Sequence, residues 1–156
     1  EIFDVIKKDI HGGSIRIFIS IKGIYKVLDR VTKICREENF NKLYSNKDLM
    51  SFSKRVEENR YNLILFLTKL KKQNKKIVAI SAPAKGMTLL NYSKIDQSYL
   101  DFATDKSSLK IKKHLPGSNI QVLRDSDLLK YKPDYALLLA WNFKDEILFT
   151  ELGIRK

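Results

Sequence analysis

One hexapeptide restricts the possible folds of this chain more than any other feature. Lys76-Ile77-Val78-Ala79-Ile80-Ser81 is almost continuously apolar and rich in β-branched residues, and it runs straight into Ala82-Pro83-Ala84-Lys85-Gly86 and a helical segment from Met87 to Ile95. A strand that alternates apolar and polar residues has one wet face. One that is apolar throughout is buried on both faces, as in parallel sheets flanked by helices. The same alternation of strand and short helix continues downstream. Tyr99 to Thr104 reads as a strand ending at Asp105, and Ile120 to Leu123 as another. Asp125 to Tyr131 reads as a short helix capped by Asp125 or Ser126, and Tyr135 to Ala140 as a fourth apolar strand. A final helix is expected from about Phe143 to Leu152, stopped at Gly153. This order predicts an α/β fold, a mostly parallel sheet with helices on both faces.

The first half carries weaker signals. Residues 14–21, Ser-Ile-Arg-Ile-Phe-Ile-Ser-Ile, have strand composition and follow a turn at His11-Gly12-Gly13. Tyr25 to Phe40 is weakly helical. Asn46 is a plausible N-cap for a long helix on which Leu49, Phe52, Val56, Leu63, Leu67 and Leu70 recur at helical spacing, with a lysine-rich end that suits the C-terminus. At 156 residues, one domain over 1–156 is expected. The opening Glu-Ile-Phe-Asp suggests a piece of a longer protein.

Composition removes several function classes. No apolar run approaches the ~20 residues needed to span a bilayer, so no membrane partner is expected. Cys35 is the single cysteine, which rules out an internal disulfide and is compatible with a reducing, cytoplasmic location. With that cysteine and only His11 and His114, a structural zinc site of Cys and His is not available, and no metal is expected in this chain. The formal charge of +12 favours anionic partners. The lysines are scattered, however, and no recognition helix, aromatic platform or zinc finger accompanies them, so a nucleic-acid-binding module rests on charge alone.

Chemistry is expected at the loops. In open α/β sheets ligands sit outside the carboxyl ends of strands. The Ala82–Gly86 loop lies there, with Lys85 as a mobile cation, Gly86 permitting close approach and a helix start offering N–H groups to a phosphate. An ordinary strand-to-helix turn would look the same. The loop is neither Gly-x-Gly-x-x-Gly nor a P-loop. Asp105 stands where an acidic residue can take a ribose hydroxyl, or simply caps a turn. Ser14 and Arg16, after the Gly-Gly turn, form a second phosphate candidate, Arg16 through its planar fork. Trp141-Asn142 ends the last strand and either lines the crevice or packs in the core. No nucleophile–base pair is visible, so no catalytic residue is assigned.

Several of these motifs resemble one family. Ser81-Ala82-Pro83-Ala84-Lys85-Gly86-Met87-Thr88-Leu89-Leu90-Asn91-Tyr92 is similar to the Gly-Ala-Pro-Ala-Lys-Gly-Asn-Thr-Leu-Leu-Asn-Tyr signature of the C-terminal domain of sugar C-methyltransferases. His11-Gly12-Gly13-Ser14-Ile15-Arg16, Pro116-Gly117 and Pro133-Asp134-Tyr135 through Leu139-Ala140-Trp141-Asn142-Phe143 resemble the same family in order, over essentially the whole chain. Ser81 replaces a common Gly and Met87 a common Asn. If that Asn touches substrate, Met87 removes the contact.

The resemblance implies a three-part protein: a zinc-binding N-terminal domain, a central domain that binds S-adenosylmethionine, and a Rossmann-like C-terminal domain corresponding to this chain. It implies that a base deprotonates the carbon beside the carbonyl of a keto-deoxysugar carried on a nucleoside diphosphate. The enolate then attacks the methyl of S-adenosylmethionine. The proton-transfer groups and both cofactors would belong to parts outside this chain, which itself has no Gly-rich turn for S-adenosylmethionine. Its share would be to bind the nucleotide sugar through Ser14, Arg16, Lys85, Gly86, Asn91, Asp105 and Asn142. A stand-alone nucleotide-binding module without catalysis is the alternative.

Overall fold

The computed structural model describes residues 1–41 and 45–151; the expected helix stop at Gly153 lies outside them. The chain divides into two compact units, Glu1–Glu57 and Glu58–Lys156.

In the first unit β1 (Ile2–Lys8) and β2 (Ser14–Ile19) pair antiparallel, with Val5 opposite Ile17 and Lys7 opposite Ile15. They are joined by the anticipated turn, where His11, Gly12 and Gly13 all have positive φ and the Gly13 N–H donates to the Ile10 carbonyl at 3.0 Å. Helix α1 (Asp29–Phe40) packs on β1. Buried Asp4 there accepts from Arg30 at 2.8 Å, and Lys7 pairs with Glu37. On β2, Ile15, Ile17 and Ile19 remain 44–71% exposed. Strand β1 was not anticipated, because its Asp4, Lys7 and Lys8 interrupt the apolar pattern. The weakly helical Tyr25–Phe40 segment becomes helix only from Asp29.

Helix α2 (Asn46–Lys72) starts one residue earlier than the expected cap implies. Asn46 is its first helical residue, and Ser45 is the cap: its Oγ accepts from the Asp48 N–H at 3.1 Å.

The second unit holds a four-stranded parallel sheet in the order β5-β4-β3-β6, formed by β3 (Ile77–Ile80), β4 (Ala103–Thr104), β5 (Val122–Leu123) and β6 (Tyr135–Leu138). Helices α3 (Ala84–Ser93) and α4 (Asp125–Tyr131) supply crossovers. All four β3 residues are buried, as the hexapeptide requires, and they divide by parity between two cores. Ile77 and Ala79 pack with Leu67 and Leu70 of α2 and Leu90 of α3. Val78 and Ile80 pack with Phe102, Leu128 of α4 and Ile147. Helices therefore cover both faces, and the fold is α/β.

The other strands are shorter than their apolar runs. Tyr99–Leu100 is drawn into a turn because Asp96 Oδ1 accepts from both the N–H and the hydroxyl of Ser98, at 2.8 and 2.6 Å. Ile120 is buried but faces a local antiparallel pairing, its carbonyl accepting from Leu115 N–H at 2.8 Å. Helix α4 has Arg124 at its N-cap rather than Asp125 or Ser126, the Arg124 N–H donating to Asp127 Oδ2 at 3.2 Å. After β6 the chain forms a 3-10 turn (Trp141–Phe143) and a π-helical turn (Glu146–Glu151) in place of one α-helix. Among the described residues no helix is long and apolar enough to cross a membrane.

Candidate active-site edge of the parallel sheet

Strands β3 and β6 are neighbours, yet the chain leaves them toward opposite faces. After β3 it enters α3, whose Leu90 lies in one core; after β6 it reaches Ile147, which lies in the other. Such divergence opens a crevice at the carboxyl edge of a parallel sheet.

Residue Ser81 closes β3 with φ at 69°, a left-handed backbone that favours glycine. A glycine, as in the signature that this segment resembles, would take that angle without strain. Ser81→Gly is expected to raise stability by roughly 0.5–1 kcal/mol, the relief of strain exceeding the entropy a glycine adds to the unfolded chain. Urea unfolding of both proteins checks it, and an equal or lower midpoint would show that the serine hydroxyl compensates.

The next turn starts α3, whose N-cap Pro83 supplies no side-chain hydrogen bond; its carbonyl accepts from the Gly86 and Met87 N–H groups, which leaves those of Ala84 and Lys85 to face an anion. Lys85, in that first turn, is exposed. Its Nζ donates to Asn142 Oδ1 and lies 5.0 Å from the Trp141 ring centroid. Two of the sequence candidates, 57 residues apart, thus meet across the crevice. Trp141 is 60% exposed, which decides against core packing.

Gly86 serves a different purpose from close approach to a ligand. A Cβ there would lie 2.7 Å from Leu139 Cβ, so the glycine lets α3 press on the end of β6. Asn91 Nδ2 donates to the Pro116 carbonyl at 3.1 Å, and its Oδ1 fills the space a Cβ on Gly117 would need. Asn91 therefore holds the Pro116-Gly117 loop. Met87 is partly buried against the apolar core rather than standing open at the edge.

Asp105 is the best-connected acid at this edge. Its Oδ2 accepts from Ala82 N–H at 3.0 Å and Lys110 Nζ at 2.8 Å, and its Oδ1 from Ser107 N–H at 2.9 Å. Lys110 also donates to the Ala82 carbonyl at 3.0 Å. Burial pushes the Asp105 carboxyl up, but the bonds from Lys110, Ser107 and Ala82 outweigh it and hold the group below the usual aspartate range. Lys110 was missed from sequence; only its place in a basic run distinguished it. Beside Asp105 lies a cleft of about 230 Å³ lined by Ser81, Asp125, Ala140, Phe143 and Glu146 among others.

Ser14 and Arg16 belong to the first unit. Ser14 donates to the Ile10 carbonyl at 3.2 Å and borders an open hollow with Lys7 and Lys8, while Arg16 stands exposed on β2. Among the described residues no group of three or more His, Cys, Asp or Glu side chains is placed to hold a metal ion. The β3–α3 turn does not suit S-adenosylmethionine: Pro83 occupies it, and Leu139 lies against Gly86, the one glycine within it.

Residues 9–156 match the C-methyltransferase C-terminal domain family. The chain belongs to that family. A C-methyltransferase from Streptomyces niveus, NovU, is 30% identical over 152 residues, covering 97% of this chain and 36% of the relative. This C-methyltransferase C-terminal domain thus spans about a third of the length of the curated relative it matches. The segment Ala82 to Tyr92 begins at the edge where Lys85, Trp141 and Asn142 converge.

Proposed function

We propose that this domain binds a nucleoside-diphosphate-linked keto-deoxysugar for a longer, S-adenosylmethionine-dependent C-methyltransferase. The observation that carries the reading is the convergence of Lys85, Asn142 and the uncapped start of α3 at the crevice between β3 and β6. A diphosphate placed there would accept from the α3 N–H groups and from Lys85, which is free to exchange Asn142 for a charged acceptor. Asp105 and Lys110 then act as positioning residues, holding the Ala82 loop against β4. Ser14 and Arg16 are proposed as substrate-contacting residues of the first unit in their own right, separate from the crevice. S-adenosylmethionine and zinc are assigned to other domains of the longer protein, and the substrate's remote groups supply binding energy that orients the reacting carbon.

Calorimetric titration with thymidine and uridine diphosphates tests this, with S-adenosylmethionine and a short DNA duplex as controls. Saturable binding of a diphosphate is expected, weakened roughly tenfold to a hundredfold by Lys85→Ala, as for loss of a charge-assisted hydrogen bond. Binding of DNA alone would replace this reading with one based on charge.

A further inference from the structure

The ring of Trp141, the only tryptophan in the chain, is 60% exposed at the carboxyl end of β6. It is covered on one face by a cation that comes from elsewhere, Lys85 Nζ at 5.0 Å from its centroid. The framework beneath both is tight. Gly86, next to Lys85, packs on Leu139, two residues before Trp141, so the α3 start and the tryptophan are held at a fixed separation. The Lys85 side chain is the movable part.

We propose that Trp141 is the stacking platform for the base of the nucleoside diphosphate, and that Lys85 leaves the ring for the phosphates as the base takes its place. The inference rests on the function proposed above and assigns its nucleoside end. A lysine over an exposed ring is weakly held, whereas a charge-assisted bond to phosphate is stronger, so an arriving diphosphate draws Lys85 away. The bared indole then faces a planar π-system carried by the same ligand, and stacking of this kind is available to any base. Electrostatics set the opposite end. Asp105 is already held by Lys110, and the neighbouring cleft presents Asp125 and Glu146 beside Lys106, which suits neutral sugar hydroxyls as hydrogen-bond donors better than phosphate. The ligand would thus lie with base on Trp141, diphosphate at Lys85 and sugar toward the acidic cleft.

With one tryptophan, fluorescence reports this position alone. Uridine or thymidine diphosphate is expected to quench Trp141 emission on binding, and inorganic pyrophosphate to bind without comparable quenching. Trp141→Leu should lose roughly tenfold or more in affinity for the nucleoside diphosphate and keep its affinity for pyrophosphate, with Trp141→Tyr restoring most of the loss. Circular dichroism establishes that both variants are folded. Calorimetric binding of the nucleoside diphosphate with unchanged emission and an unimpaired Trp141→Leu would overturn the platform and leave the proposed function standing. No saturable binding of either diphosphate would overturn both.

Discussion

Replacing Gly86 by valine is expected to lower the stability of the second unit by about 3 kcal/mol, the upper end of the range for overpacked sites. The cause is specific: a Cβ at this position falls 2.7 Å from Leu139 Cβ and 3.1 Å from its Cδ1. Leu139 is buried and sits in the core with Leu90 and Ile77, so it has no open space into which to withdraw. Gly86→Ala is the useful comparison. Alanine meets the same first contact but gains about 1 kcal/mol in helix propensity over glycine, so its net loss should be distinctly smaller than that of valine. Chemical denaturation followed by far-ultraviolet circular dichroism separates the two. Equal and negligible losses would mean that α3 slides off β6 at little cost, and the fixed spacing of Lys85 and Trp141 would go with it.

The second large effect concerns Asp105. Asp105→Ala is expected to cost about 2 kcal/mol, because it strands the Ala82 N–H and leaves Lys110 without its carboxylate. It should also weaken diphosphate binding, since the Ala82–Pro83 segment that sets the start of α3 loses its tie to β4. The pH dependence has a definite sign. The native carboxyl is held below the ordinary aspartate value of about 3.9, so its contribution is complete above that value and is lost as pH falls through the depressed native one. Removing the group should therefore flatten the acid limb of a stability–pH profile and leave the neutral region parallel. Unfolding midpoints of both proteins between neutral and strongly acid pH measure this. An unaltered acid limb in the variant would show that Asp105 carries no such linkage.

The β3–α3 unit was legible because its signal is local. An apolar tetrad can be buried only between two layers, and Pro83 stops the strand before Ala84 opens a helix. The parallel sheet followed from repetition of that pattern. Boundaries were legible only where no side chain competed with the backbone. The run at Tyr99 looked like strand, but Asp96 captures Ser98 and turns it. β1 carried too many charges to be recognised, and its place depends on β2 and on the Asp4–Arg30 pair.

The candidate edge divides in the same way. Lys85 could be singled out by its place in a loop. Its meeting with Asn142 depends on β6 lying beside β3 in a particular register, Ile80 against Leu138, which no short motif encodes. Lys110 and Asp105 meet because a turn brings them together, and nothing in the spacing of basic residues announces it. The Ser81 departure from the signature was visible but was uninterpretable until its backbone angle was known.

The hairpin of the first unit bears on where this domain ends physically. The family match starts at residue 9, in the connection between the two strands, whereas the pairing runs from Lys8 opposite Ser14 back to Ile2 opposite Ile19. The boundary of the match therefore falls inside a hairpin and not at the edge of a folded unit. A protein trimmed to the family boundary would keep the isoleucines of β2 and discard the partner that satisfies its backbone. Such a bare, β-branched edge invites pairing between molecules.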